Sequence, residues 1–268
     1  MTQEEKIKAL SDALQRTEAI LYEFRDVVKH NFTDHVNTLD DFSSLATDIV
    51  SSMEPEQESN EDVKPVAPPQ EDNRLGMGLE ELNKEALLCT RCALASTRNN
   101  VVFGEGCADR PKVMVIGEGP GENEDITGRP FVGKAGQYLD SWLAAISLSR
   151  ETNTYIANTV KCRPPQNRDP QEEELRLCFP FLKQQIRCIK PSAILCLGKP
   201  ASIQITGKTD ATMGELRGRF TFYEGIPVIC TYHPSAVLRN PDLKRPVWDD
   251  LRKLAIFLGL DIAGSRRS

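Results

Sequence analysis

Residues 112–121 read KVMVIGEGPG, an uninterrupted apolar run that stops in a glycine-rich turn. A short apolar run closed by turn residues is the pattern of a strand buried on both faces. Working outward, residues 154–157, 193–197 and 228–231 repeat it. Between these runs, segments 135–146, 171–189, 200–205 and 246–258 have helical spacing, and Asp169-Pro170 offers a cap and first turn for the second of them. Strands alternating with helices imply a mostly parallel central sheet with helices on both faces, a three-layer α/β/α architecture. In such folds the functional loops gather at the carboxyl ends of the strands.

The turn after the first strand therefore carries weight. Residues 117–140, GEGPGENEDITGRPFVGKAGQYLD, place Glu118, Glu122, Glu124 and Asp125 among the glycines. The stretch lacks G-x-G-x-x-G spacing and has no Gly-Lys-Ser/Thr, and its carboxylates would repel a phosphate. A solvated acidic turn would account for the acids but not for the aromatic of Arg129-Pro130-Phe131. Acid close to a flat aromatic suits a pocket for a polar, uncharged ring.

Composition bounds the rest. A chain of 268 residues with 40% hydrophobic content, and with no apolar run near the roughly 18 residues of a membrane span, is expected to be soluble, with one or two domains and no membrane partner. The N-terminus MTQEEKIKAL lacks an apolar signal core, so a cytoplasmic location is expected, with the eight cysteines reduced. Residues 1–84 carry 8 Lys+Arg against 19 Asp+Glu, while residues 85–268 carry 25 against 20. An acidic extension thus precedes a mildly basic domain whose charge permits nucleic-acid binding. Within residues 3–30, Ile7, Leu10, Leu14, Leu21, Phe24 and Val28 form a heptad-like stripe with Thr17 at the missing place. That helix could self-associate, meet a protein partner or dock on the domain. The expected plan is a helical extension over 1–50, an acidic, Pro-rich disordered linker over 51–81, a catalytic domain over 82–260 and a tail over 261–268.

Two further constellations stand out. Cys89 and Cys92 form C-x2-C, and Cys162 and Cys178 follow with fifteen residues between them. A second C-x2-C is missing, which disfavours a zinc ribbon, whereas four thiolates at irregular spacing suit an iron–sulfur cluster. Cys196 and Cys230 fall in apolar runs and Cys188 on a helix, where small buried hydrophobes are expected. The loop TYHPSAVLRNP, 231–241, follows a strand and holds His233, locked by Pro234. Ser235, Val237, Leu238 and Arg239 in the same loop could meet DNA, through a phosphate or a wedge into the base stack.

These motifs in order, GEGPGENEDITGRPFVGKAG, Asn158-Thr-Val-Lys-Cys162-Arg-Pro-Pro-x-Asn167-Arg, the C-x2-C pair and His233-Pro-Ser, resemble the family 4 uracil-DNA glycosylases over residues 85–258. The resemblance implies a uracil-DNA glycosylase-like fold and an enzyme that hydrolyses the N-glycosidic bond of a flipped uracil in DNA. By the same resemblance Phe131 stacks on the base, Asn158 reads its edge and His233 donates toward O2 as charge collects there. Glu118 positions or activates the water and Glu124 guards the C5 side, roles that these two acids could share or exchange. Gly119 lines the base site where related families place an aspartate, a departure that bears on the choice of base. Cys89, Cys92, Cys162 and Cys178 match the ligands of a 4Fe–4S cluster. Arg163 and Arg168 beside them are candidates for phosphate contacts. Two rival readings stay in view: a glycosylase for another deaminated base on the same scaffold, and a non-catalytic DNA-binding adaptor.

Overall fold

The computed structural model describes residues 76–262. The helix read over 3–30, most of the 51–81 linker and the last six residues of the tail lie outside the described residues. In chain order the elements are α1 (Leu79–Leu87), β1 (Glu105–Gly106), β2 (Val113–Gly117), α2 (Glu122–Thr127), α3 (Lys134–Ala145), β3 (Thr154–Asn158), α4 (Glu172–Ile189), β4 (Ala193–Leu197), α5 (Lys199–Thr206), α6 (Met213–Leu216), β5 (Phe220–Tyr223), β6 (Ile226–Thr231), α7 (Pro234–Arg239) and α8 (Lys244–Phe257).

The apolar runs pair as expected. β3, β2, β4 and β6 lie side by side and parallel, and every residue of β2, β3 and β4 is buried. Successive side chains of a strand point to opposite faces. Val113, Val115, Ile156, Leu195 and Ile229 therefore pack beneath α3 and α8, against Leu139, Leu143, Leu251 and Leu254. Met114, Ile116, Ala157, Ile194 and Val228 pack on the other side against Leu182 and Ile186 of α4 and Ala201 and Ile205 of α5. The result is a three-layer α/β/α fold with a six-stranded sheet of order β1-β3-β2-β4-β6-β5.

The two outer strands, β1 and β5, run antiparallel and were not anticipated. β1 is only two residues long and has no periodicity to read. β5 did leave a signal. Glu224 and Gly225 have φ of 47° and 82°, the two positive values of a two-residue hairpin turn, and join it to β6.

Three further readings need correcting. α1 begins at Leu79, inside the segment read as linker, because Leu82 and Ala86 bury against Phe103, Val160 and Phe181 in a third apolar cluster. Asp169 does not cap α4. Gln171 does, its backbone N–H donating to Glu174 Oε2 at 2.8 Å. Cys188 is half-buried, with Sγ 3.2 Å from the Met77 carbonyl oxygen, whereas Cys196 and Cys230 are buried as expected.

The acidic turn contributes to the fold through Asp125, which is 1% exposed. Its carboxylate accepts from the backbone N–H groups of Asn99 and Asn100 and from Asn99 Nδ2 at 2.6 Å, tying the segment after the first cysteines to α2. Removing an acceptor that satisfies several buried donors leaves them unpaired. Asp125→Ala is expected to destabilise the domain by about 2–4 kcal/mol, measured by urea unfolding with the denaturant slope unchanged.

Candidate active site

The carboxyl ends of β2, β3, β4 and β6 bring Gly117, Asn158, Gly198 and His233 close to the Phe131 loop. Gly117 ends β2 in register with Asn158, which ends β3. A β-carbon on Gly117 would stand 2.5 Å from Asn158 Oδ1 and 2.6 Å from the Phe131 ring, so only glycine allows this approach. Asn158 is 1% exposed, and its Oδ1 is a buried acceptor without a partner. An orphaned buried acceptor costs about 1–3 kcal/mol, so the atom is open to a donor. Phe131 sits at φ 53°, a left-handed conformation that costs a bulky residue about 1–3 kcal/mol and clusters at functional sites.

The ring of His233 lies 5.6 Å from that of Phe131. His233 caps α7, its Nδ1 accepting from the Ser235 N–H at 3.2 Å and lying 2.8 Å from Ser235 Oγ. With Nδ1 an acceptor, the proton of the neutral ring sits on Nε2. Burial holds the imidazole down at about 4, Arg239 adds to that and Glu124 opposes it, so the ring is neutral at physiological pH. Gly198, at the end of β4 with φ 85°, lets the chain pass the His233 side chain.

The acids divide by role. Glu118, just after β2, is pushed up to about 7 by burial and by the Asp169 carboxylate beside it. A carboxylate poised near neutrality suits a general base. Glu124 serves the loop. Its Oε1 accepts from the N–H groups of Val132 and Gly133 at 2.8 and 2.9 Å, bracing the Phe131 loop. Gly119 lies beside Val160, and a β-carbon there would come within 2.8 Å of Val160 Cγ2, so an aspartate could enter only if Val160 moved.

Cys89, Cys92, Cys162 and Cys178 line a single cavity with Arg91, Arg98, Lys161, Leu177 and Phe181. Among the described residues no three His, Cys, Asp or Glu side chains come close enough to hold one metal ion. The four thiols line one common space, and a set of cysteine thiolates is the donor chemistry of a metal–sulfur group. Burial raises the Cys92 and Cys162 thiols and pushes Cys178 up to about 12, so metal binding there would release protons. Arg98 Nη1 donates to Cys162 Sγ at 3.1 Å, and the Lys161 backbone N–H donates to Cys178 Sγ at 3.3 Å.

The residues expected to meet DNA behave differently from one another. Leu238 is 50% exposed and Arg239 is exposed. Val237 is fully buried in the core, which corrects its reading as a DNA contact. Ser235 orients His233. Arg168, a candidate phosphate contact, is bound to Glu174 through both terminal nitrogens, at 2.9 and 2.7 Å. Arg163 reaches Asn167 Oδ1 at 2.8 Å and lies 3.7 Å from Glu122. The residues missed in the sequence are Arg98, Asp169, Lys161 and Arg150. None sits in a periodic pattern; Lys161, beside Cys162, lies within the 158–168 motif, and Asp169 was read only as a helix cap.

Because the pocket depends on one missing β-carbon, Gly117→Ala is expected to displace the Phe131 ring while the domain keeps its melting transition. A crystal structure of the variant with the ring unmoved would contradict this.

The uracil DNA glycosylase superfamily matches residues 103–252. The chain is similar to the type-4 uracil-DNA glycosylase of Saccharolobus solfataricus, 42% identical over 66% of this chain and 84% of that protein. It is 44% identical to the type-4 uracil-DNA glycosylase of Thermotoga maritima over 67% of this chain and 94% of that one. The archaeal counterpart from Archaeoglobus fulgidus is 38% identical over 68% of this chain and 94% of its own length. With its glycine-ended strand, its orphaned asparagine and its four-cysteine cavity in place, the chain belongs to the uracil-DNA glycosylase superfamily, among the type-4 uracil-DNA glycosylases.

Proposed function

We propose that this protein is a monofunctional glycosylase that excises uracil from DNA, leaving an abasic site at the first step of base excision repair. The observation that carries the proposal is the buried, unpartnered Oδ1 of Asn158 beside the Phe131 ring. Uracil drawn out of the stack presents an N3–H donor to that oxygen and an O4 acceptor to the amide nitrogen. Cytosine reverses both polarities and leaves buried groups unpaired, which makes its rejection strong. Phe131 stacks on the ring.

The chemistry follows from the groups around the base. As the C1′–N1 bond breaks, its electron pair moves onto uracil and charge collects at O2, where the neutral His233 donates through Nε2–H. With an imidazole pKa of about 4, His233 serves as a fixed dipole for the oxyanion. Water adds to C1′ of the oxocarbenium sugar, and its proton passes to Glu118. The departing uracil anion takes its proton from solvent. Leu238 and Arg239, both exposed on α7, serve the base stack and a phosphate, and Arg163 is a further phosphate contact.

Cys89, Cys92, Cys162 and Cys178 would hold a 4Fe–4S cluster, which when bound cross-links two distant stretches of chain and takes no redox step in the reaction. The substrate partner is uracil-containing DNA, met in the cytoplasm, and residues 3–30 serve self-association or recruitment. Among the described residues no helix is long and apolar enough to cross a membrane.

Anaerobically purified protein is expected to generate alkali-labile sites in uracil-containing DNA and none in thymine-containing DNA, with a brown visible absorbance. Asn158→Asp should lose or change the base preference. Release of another deaminated base with uracil left intact would refute the substrate, and a colourless active protein would refute the cluster.

Glu118 must be ionised to accept a proton. The single-turnover rate is therefore expected to fall as pH drops through about 7 and to hold steady above it. Neutral His233 adds no limb near pH 7, since its proton uptake lies near 4. Glu118→Gln should remove most of the rate together with its pH dependence; a pH profile that survives the substitution assigns the base elsewhere.

A further inference from the structure

Phe131, on which base stacking depends in the proposed function, holds a backbone conformation that L side chains rarely adopt. Something must keep it there. On one side Glu124 takes the N–H groups of Val132 and Gly133. On the other stands Arg150, in the loop before β3, with a side chain only 10% exposed. Its Nη1 donates to the Pro130 carbonyl at 3.1 Å and to Glu105 Oε1 at 2.7 Å. Its Nη2 donates to the Phe131 carbonyl at 3.0 Å and to Asp140 Oδ1 at 2.7 Å, and its Nε donates to the same Asp140 oxygen at 3.0 Å. All five N–H donors of the guanidinium are engaged.

The arrangement joins three separate parts of the chain. Glu105 comes from β1 and Asp140 from α3, and both carboxylates fix the guanidinium plane that faces the two loop carbonyls. Arg129 Nε also donates to Glu105 Oε2 at 2.7 Å, so the loop is tied to β1 a second time. At Gly136 a β-carbon would lie 1.8 Å from the Phe131 carbonyl oxygen, so helix α3 closes tightly behind the same peptide. A lysine could not replace this fork. One ammonium on a flexible stem cannot hold two carbonyls and two carboxylates in a plane.

We infer that Arg150, oriented by Glu105 and Asp140, is the positioning residue that holds the Phe131 ring in place over the base, and so sets the excision rate without touching base or DNA. The inference rests on the proposed stacking role of Phe131, but its test does not depend on which base is removed. Single-turnover excision and binding to abasic-site DNA are measured for wild type, Arg150→Ala, Phe131→Leu and the double variant, on whichever base the wild type releases. Wild-type release of a base other than uracil would overturn the proposed substrate and leave this test intact.

Arg150→Ala is expected to slow excision roughly ten- to hundredfold, with abasic-site binding and the visible spectrum unchanged. In the Phe131→Leu background the same substitution should cost almost nothing, because the group through which Arg150 acts is already lost. A full additional loss in that background would make Arg150 a general stabiliser and overturn the inference. Should Arg150→Ala fail to melt cooperatively, Arg150→Lys, which keeps a cation between Glu105 and Asp140, decides the matter. Slow excision with intact abasic-site binding supports the clamp, and a wild-type rate overturns it.

Discussion

The hydrogen that stands where Gly117 would otherwise carry a β-carbon is what lets an aromatic ring and a carboxamide share the end of one strand pair. The parallel register of β2 and β3 sets Gly117 opposite Asn158 and aims both at the pocket. The Phe131 ring then lies over the glycine and closes the space around the amide, leaving its oxygen buried and unpaired. Each feature needs the one before it. Without the register the amide would not face the pocket, and without the glycine the ring would not reach.

The site is also where the molecule departs from locally favourable choices. An acceptor is left without a donor at Asn158, a phenylalanine is held in the left-handed region, and a carboxyl at Glu118 is buried beside Asp169 and pushed up to about 7. Each is unfavourable, the first two by about 1–3 kcal/mol apiece. They persist because the scaffold is over-determined: three adjacent strands are buried along their whole length, and helices close on both faces. Such conflicts between local preference and native state are expected where a ligand completes the structure.

The central layers were legible because burial of a strand on both faces leaves a short apolar run bounded by turn residues. The runs around Val115, Ile156, Leu195 and Ile229 are the inner strands within a residue or two. The motif residues were legible by resemblance, and Phe131 lies against His233 and, across Gly117, beside Asn158, whereas the roles of single residues within the motifs were harder to read. Val237 and Leu238 are adjacent letters in an apolar pair, yet one is core and the other surface, because a helix turns about 100° between them. Arg150 could not be found at all, since its partners lie 45 positions upstream and 10 away, and neither separation has a period.

The cysteine cavity and the Asn158 site are built on one short peptide. Asn158 ends β3, Lys161 follows three residues later and Cys162 is its neighbour. Lys161 is almost fully buried, and its Nζ turns back to donate to the Asn158 carbonyl at 2.9 Å and across to Gln185 Oε1 at 2.5 Å. Gln185 in turn donates to the Phe103 carbonyl at 2.9 Å, beneath α1 and the first cysteine pair. The backbone that presents Asn158 is thus fixed by the side chain of Lys161, a residue that also lines the thiol cavity. A group bound by the four cysteines would hold Cys162, and through it the peptide that ends in Asn158, against the loop that carries Cys89 and Cys92. Its effect on Asn158 would therefore be positional, exerted through Lys161 and the strand end.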